Sequence, residues 1–317
     1  VAGSGSAAVG GKPLRRRVDG IVLLDKPYGL SSNAALQAVK RLFHAAKAGH
    51  TGSLDPLATG LLPVCLGEAT KLSSHLLDAD KTYRARACLG IATATGDAEG
   101  PQVKFSDPSA VTAAALENAA ASLVGEIRQV PPMYSALKRD GRPLYALARE
   151  GVEVERQPRT VCIHSLRLLA FGGAEFEFEV RCSKGTYVRT LAEDWAGALG
   201  QVAHLTALRR CGLGPYDEAH LVTLAQLESA AAAGDAGLFR HLRPLAEAVA
   251  GWVRLGVDGA QAAALAHGRP VTIGPAAAQR GPVAVLGPAG ELLGLAEADG
   301  LGALAPRRWL LPAETGG

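Results

Sequence analysis

Apolar and polar positions change period several times along the chain. DGIVLLDKP (19–27) is a short apolar run closed by Pro27, the pattern of a buried strand. Leu36, Val39, Leu42 and Phe43 then fall on one helical face, and Ser31, Ser32 or Asn33 can cap that helix. GLLPVCLG (60–67) is apolar again but broken by Pro63. KTYRARACLG (81–90) alternates, with Tyr83, Ala85, Ala87 and Leu89 on one side and Arg84, Arg86 and Cys88 on the other, as in a half-exposed strand. GDAEG (96–100) is a turn, and Asp107-Pro108 is expected to open an Ala-rich helix that ends near Gly125. FEFEVRCSKG (176–185) alternates Phe176, Phe178, Val180 and Cys182 against glutamates and Arg181, and TYVRTLAEDWAGALG (186–200) has the texture of a helix ending at Gly200.

Residues 223–250 are expected to be helical. From Trp252 the texture shifts to strand-turn-strand patterns, WVRLGVD and GPVAVLGPAGELLGLAEA, with one short helix in GAQAAALAHGRPV between them. This places a domain boundary near residue 250, a main domain over 18–250 and a small β-rich barrel over 251–317. Residues 1–17, which end in the basic cluster Arg15–Arg17, are expected as a flexible tail. Strands and helices mixed without regular βαβ alternation indicate an α+β fold for the main domain.

Composition narrows the chemistry. The chain has 317 residues, 48% hydrophobic and 20% charged, which suits a folded soluble protein. Its five cysteines are dispersed, with no CxxC pair, which argues against a disulfide framework and a zinc site and suits a reducing cytoplasm. There is no HxxxH or HExxH pair among the eight histidines, and no apolar run of membrane-spanning length; IVLL (21–24) is far too short for a signal-peptide core. Net charge is only +3 but uneven: residues 1–50 carry eight Lys/Arg against two Asp, and residues 128–210 carry thirteen against nine Asp/Glu. That distribution fits a polyanion contacted by part of the surface, although the Arg-over-Lys bias also fits a GC-rich genome. The segment 128–160, rich in Arg and Pro with Tyr134 and Tyr145 interspersed, is read as a functional insertion rather than a bare connector.

The loop GHTGSLDPLATG (49–60) carries one carboxylate, Asp55, between a leucine and a proline. Asp55-Pro56 can simply initiate a turn, with Gly52 and Gly60 supplying unusual backbone angles. A phosphate-cradling loop would need Gly-Lys-Ser/Thr after the glycines, and none follows. A two-carboxylate site would need a second acid close by, and the next in sequence is Glu68. What remains beside the turn reading is a lone carboxylate on a stiff loop, a candidate nucleophile or base.

GHTGSLDPLATGLLPVCLGEATKL resembles the signature of the TruB family of tRNA pseudouridine synthases. LLDKPYGLSSNAALQAVKRLF, DADKTYRARACLG, VPPMYSALK, RCSKGTYVRTLAEDWAGALG and HLTALRR resemble further family segments in the expected order, covering roughly residues 20–215. The tail after Trp252 resembles a PUA domain, a small RNA-binding barrel. The resemblance implies a mixed, largely antiparallel pseudouridine-synthase sheet flanked by helices. It also implies isomerisation of the T-loop uridine at tRNA position 55, without cofactor or metal.

Residue by residue, the resemblance makes Asp55 the nucleophile, attacking the uridine at C6 or at C1′; Tyr83 the aromatic that stacks on the flipped base and stands near C5; and Arg189 the partner of the aspartate. The competing reading of Arg189 is a surface pair with Glu193 at i,i+4, and burial separates the two. A guanidinium beside Asp55 would lower its pKa and fix its orientation. His50 matches a histidine that fills the space the target base vacates, against a loop histidine with no role. Tyr187 and Leu208 match positions that contact the flipped nucleotide, although plain core packing suits Leu208 equally. Lys26 falls in a family motif as a structural or phosphate-facing, substrate-binding residue. In the insertion 128–160, expected to clasp the tRNA T-arm, Arg128, Lys138, Arg139 and Arg142 would contact phosphates. The implied protein is a cytoplasmic monomer with no obligate protein partner and no membrane association. Two alternatives stay open: a guide-RNA-dependent pseudouridine synthase, and a tRNA-binding chaperone whose catalysis is secondary.

Overall fold

The structure, a computed structural model, describes residues 15–274 and 278–310. The first strand, β1 (Gly20–Lys26), is followed by α1 (Ser32–Leu42), whose N-cap is Ser31: its hydroxyl accepts from the Ala34 amide at 3.2 Å. β2 (Ala48–His50) and β3 (Thr59–Leu66) flank the loop that carries Asp55. A 3-10 turn (Gly67–Leu72) and α2 (Ser73–Asp78) lead into β4 (Lys81–Leu89). The small hairpin β5 (Ile91–Thr93) and β6 (Gln102–Phe105) encloses the GDAEG turn. α3 (Ala113–Ser122) starts later than expected. Thr112 caps it, and Asp107 instead closes a turn of its own by accepting from the Ser109 amide.

β7 (Gly125–Gln129) opens the basic insertion, which is not a plain loop: it holds the two-residue strands β8 (Lys138–Arg139) and β9 (Arg142–Pro143) and the short helix α4 (Leu144–Arg149). Then come β10 (Arg159–Gly172), β11 (Glu175–Cys182), α5 (Val188–Gly197) and β12 (Ala203–Leu213). α6 (Leu224–Ala232) and α7 (Asp235–Phe239) precede the C-terminal elements β13 (Val253–Gly256), α8 (Gly259–Ala266), β14 (Val271–Thr272), β15 (Arg280–Leu286), β16 (Leu292–Asp299) and β17 (Ala303–Trp309).

Among the described residues, eight strands form the main sheet in the order β1-β3-β12-β4-β11-β10-β7, with β2 also on β3. Every pairing is antiparallel except β3 with β12, so the sheet is mixed and largely antiparallel. Pro63 does not end β3. Its carbonyl accepts from the Thr51 amide, on the side away from β1, so its missing N–H also points that way. There β12 has already left at Gly60 and β2 joins only at Val64, so no ladder bond is lost.

One face of the sheet is covered by α1, α3, α5 and α6. Trp195 of α5 is fully buried, donates to the Leu116 carbonyl at 2.9 Å and packs edge-on against Phe176 and Phe178 of β11. β1 and β3 are buried on both faces. Val22, Leu24, Leu62 and Val64 join that core, whereas Ile21, Leu23, Leu61 and Cys65 pack with Ala284, Leu295 and Leu310 of the C-terminal region. Burial on both faces is why these two strands show no alternation. The C-terminal strands form a second sheet, β13-β15-β16-β17-β14, with Leu265 of α8 in its own core. Lys71 ties it to the main domain by donating to the Trp309 carbonyl at 2.8 Å.

The flexible tail expected over 1–17 lies outside the described residues up to position 14. Arg16 is docked: its Nε donates to the Phe43 carbonyl, and its guanidinium pairs with Asp235 and covers the Phe239 ring. Among the described residues no helix is long and apolar enough to cross a membrane.

Candidate active site

The Asp55 loop is pinned through several of its backbone groups. The Ala58 amide donates to the Asp55 carbonyl at 3.0 Å, closing a turn with Pro56 at its second position. Buried Ser32 holds Leu54 from both directions, its hydroxyl donating to the Leu54 carbonyl at 3.0 Å and accepting from the Leu54 amide at 2.7 Å. The Gly29 amide donates to the Pro56 carbonyl at 2.8 Å. Leu54 and Leu57 are buried in the core on either side of Asp55, whose carboxylate lines the cleft with Ser53 and Leu54.

Arg189, in the first turn of α5, meets that carboxylate. Its Nη2 lies 2.9 Å from Asp55 Oδ2, and its side chain is only 6% exposed. Nη1 donates to the Thr95 carbonyl at 2.6 Å, Nη2 also donates to the Tyr134 carbonyl at 2.7 Å, and Nη1 lies 3.6 Å from Asp97 Oδ2. The surface pairing with Glu193 is therefore not formed. Asp55 Oδ1 has no protein partner among the described residues.

Water reaches 41% of the Asp55 side chain, from the cleft side. Burial pushes its carboxyl upward, Arg189 pulls it down, and Asp97 pushes it up again, so the net direction is upward. Arg189 lowers the Asp55 carboxyl as expected of a neighbouring guanidinium, but burial outweighs it and Asp97 adds to the rise.

Asp55, Tyr83, Tyr187, Arg189 and Leu208 all border one cavity of about 580 Å³, within the range of ligand sites. Tyr83 faces inward from β4, as its alternation predicts; burial raises its phenol pKa, and the nearby Arg210 guanidinium opposes that. Tyr187 stands at the N-cap of α5 and offers it no side-chain cap. The buried amide of Gln129 holds the Tyr187 backbone, its oxygen accepting from the Tyr187 amide at 3.0 Å and its nitrogen donating to the Tyr187 carbonyl at 3.3 Å. The insertion closes one side of the cavity through Ser135, Leu137 and Arg159. Arg128, Lys138, Arg139 and Arg142 are exposed and off its lining.

Two expected residues stand apart. Lys26 is fully buried. Its ammonium donates to the carbonyls of Pro27 (2.9 Å), Leu30 (2.5 Å) and Pro56 (3.4 Å), and burial lowers its pKa to about 8. With its protons turned to carbonyls and no exposure, it does not face a phosphate or a substrate; the substrate-binding assignment is corrected to a brace behind Asp55. His50 is half-buried at the end of β2 and outside the cavity lining, its Nδ1 without a hydrogen-bond partner. Burial and then Arg210 lower its pKa, so the ring is neutral near pH 7.

Three side chains that shape the site were not singled out from sequence. Asp97 is 3% exposed in the GDAEG turn, its Oδ1 accepting from the Thr95 hydroxyl at 2.6 Å and the Glu99 amide at 3.1 Å. Gln129 and Arg210 are the others. A polar side chain in a strand or turn carries no signal of burial, so only tertiary packing identifies them.

Three family models match the chain. "TruB family pseudouridylate synthase (N terminal domain)" covers residues 40–188, "tRNA pseudouridylate synthase B C-terminal domain" covers 189–250, and "Pseudouridine synthase II TruB, C-terminal" covers 250–310. A protein of Aromatoleum aromaticum named tRNA pseudouridine synthase B is 55% identical over 294 residues, 93% of this chain and 93% of its own length. One of the same name from Ectopseudomonas mendocina is 50% identical over 298 residues, 94% and 97% of the two chains. Among solved structures, a chain of a Cbf5-Nop10-Gar1 complex aligns with TM-score 0.74 at 26% identity, covering 97% of this chain and 92% of its own. A chain of an H/ACA RNP bound to a substrate RNA containing 2′-deoxyuridine aligns with TM-score 0.71 at 25% identity, covering 93% and 86%.

Proposed function

We infer the reaction from two facts: the chain belongs to the TruB family of pseudouridylate synthases, and one buried guanidinium holds the Asp55 carboxylate on a cavity of about 580 Å³. The protein is an isomerase. Its proposed substrate is the T-loop uridine at position 55 of tRNA, and its product is pseudouridine at that position. The pairing of Arg189 with Asp55 supports this reading most strongly, because a carboxylate held by one oxygen keeps the other for bond formation.

The proposed course begins with the uridine leaving its stack, at a cost of a few kcal/mol. The base enters the cavity between the Tyr83 ring and Leu208. Asp55 Oδ1 attacks C6 of the ring or C1′ of the sugar, and the glycosidic bond to N1 breaks. The uracil turns, C5 bonds to C1′, the bond to Asp55 Oδ1 breaks to return the carboxylate, and the proton lost from C5 is balanced by one gained at N1. Tyr83 stands on the cavity as the group for that proton transfer.

A cytoplasmic monomer acting without protein partner or guide RNA completes the proposal, supported by the naming of the relatives at 50–56% identity as tRNA pseudouridine synthase B. The rival is a guide-RNA-dependent enzyme, favoured by the fold shared with the Cbf5-Nop10-Gar1 complex. Purified protein incubated alone with unmodified tRNA transcript decides between them by mapping of pseudouridine. Product in the T-loop is expected. Product elsewhere, or only after addition of guide RNA and protein partners, would overturn the proposal.

A further inference from the structure

Arg210 is the largest fully buried charged side chain among the described residues. It is 1% exposed, and among the described residues no carboxylate forms an ion pair with it. Burying an uncompensated guanidinium is costly, so its hydrogen bonds matter. Its Nε donates to the Leu61 carbonyl at 2.7 Å, and its Nη2 donates to the Gly52 carbonyl at 3.2 Å. These two carbonyls lie at the two ends of the loop that carries Asp55. Tyr83 sits directly opposite Arg210 in the β4–β12 register, and the guanidinium opposes the rise that burial gives its phenol pKa.

Gly60 leaves room for this strand: a Cβ there would stand 2.4 Å from the Arg210 carbonyl oxygen. Gly52 is needed for its backbone, φ +111°, at the turn that presents its carbonyl to Arg210.

We propose that Arg210 is a positioning residue for the reaction: one guanidinium fastens both ends of the Asp55 loop from the strand position opposite Tyr83, and so sets the nucleophile and the tyrosine in a common register. The proposal rests on the reading of Asp55 and Tyr83 as the reacting pair. Lysine cannot replace the fork, since a single ammonium lacks the planar, divergent donors that reach both carbonyls.

The test combines single-turnover kinetics on unmodified tRNA transcript, tRNA affinity, and amide hydrogen exchange across residues 52–61. Arg210→Lys is expected to slow turnover on the order of 10- to 100-fold while tRNA affinity changes by less than about threefold. Exchange should accelerate in 52–61 and stay protected in β4 and β11. Tyr83→Phe, which keeps the ring, is the second variant and is independent of any folding defect at position 210. It should accelerate exchange in the same loop, and Arg210→Lys should cost less in the Tyr83→Phe background than in wild type. Unchanged exchange in Tyr83→Phe, fully multiplicative losses, or equal losses of turnover and affinity in Arg210→Lys would overturn the proposal. Wild-type protein that forms no pseudouridine would instead fail the reading of the site, and the exchange data would still judge Arg210.

Discussion

The same ion pair is used on two sides of one sheet with opposite consequences. On the open face of β4, β10 and β11, Glu179 lies 3.3 Å from Arg84 and 3.1 Å from Arg167, whose side chains are 56% and 68% exposed. At the cavity, Arg189 lies 2.9 Å from Asp55 and is 6% exposed. The lengths are similar. Solvent screens the outer pairs, which are then worth about 0–1 kcal/mol each. The inner guanidinium has no water to fall back on, so it collects two carbonyls and a second carboxylate as well. Pair chemistry is legible from residue types; what a pair does is decided by what surrounds it.

The sharpest way to break the comparison is to remove the inner cation. Arg189→Ala should lower turnover by about 10²- to 10³-fold, the scale for losing a preorganised charge in a closed site, with tRNA affinity nearly unchanged. Equal losses in rate and affinity would make Arg189 an RNA contact. Next is Asp97→Asn, expected to cost about 10-fold or more at neutral pH because it loosens Arg189. It also removes a like charge, so the Asp55 carboxyl falls and the acid limb of the kcat/KM–pH profile moves to lower pH. A shift to higher pH would contradict the assigned electrostatics.

Glu193 sharpens the comparison from within α5, one turn beyond Arg189. Burial, then Asp194, push its carboxyl up to about 7. The folded chain thus holds this proton to higher pH than the unfolded chain, and the associated stability is present below about pH 4.5 and lost as pH rises through about 7. Glu193→Gln should therefore raise the urea midpoint at pH 8 more than at pH 5; an equal gain at both would contradict the shift. Smallest of all, Arg84→Ala on the outer face should leave the urea midpoint nearly unchanged and alter turnover by less than about twofold.

The sequence carried the elements with clean periods. β4 and β11 alternate throughout, and α1 and α5 carry their apolar stripes. β10 and β12 were not identified as strands, for a physical reason. β10 shifts register between Ile163 and Ser165 and again between Leu168 and Ala170, and β12 does so around Thr206 and Cys211. Each bulge adds a residue and inverts the alternation, so no single period spans the strand. At the site, Asp55, Tyr83, Tyr187, Arg189 and Leu208 were singled out and do share one cavity. Lys26 was misjudged because a motif position does not reveal which way an ammonium turns. Asp97 was missed because a turn aspartate is ordinarily solvated; only the approach of α5 to the β5–β6 hairpin buries it.

The central claim is that Asp55 forms the bond to the substrate, and Asp55→Asn tests it most directly because the amide keeps the shape and removes the nucleophile. Single-turnover incubation with unmodified tRNA, followed by mapping of pseudouridine and measurement of tRNA affinity, should show loss of T-loop product on the order of 10⁴-fold or more with binding retained. Product formed by Asp55→Asn at the wild-type rate would contradict the account.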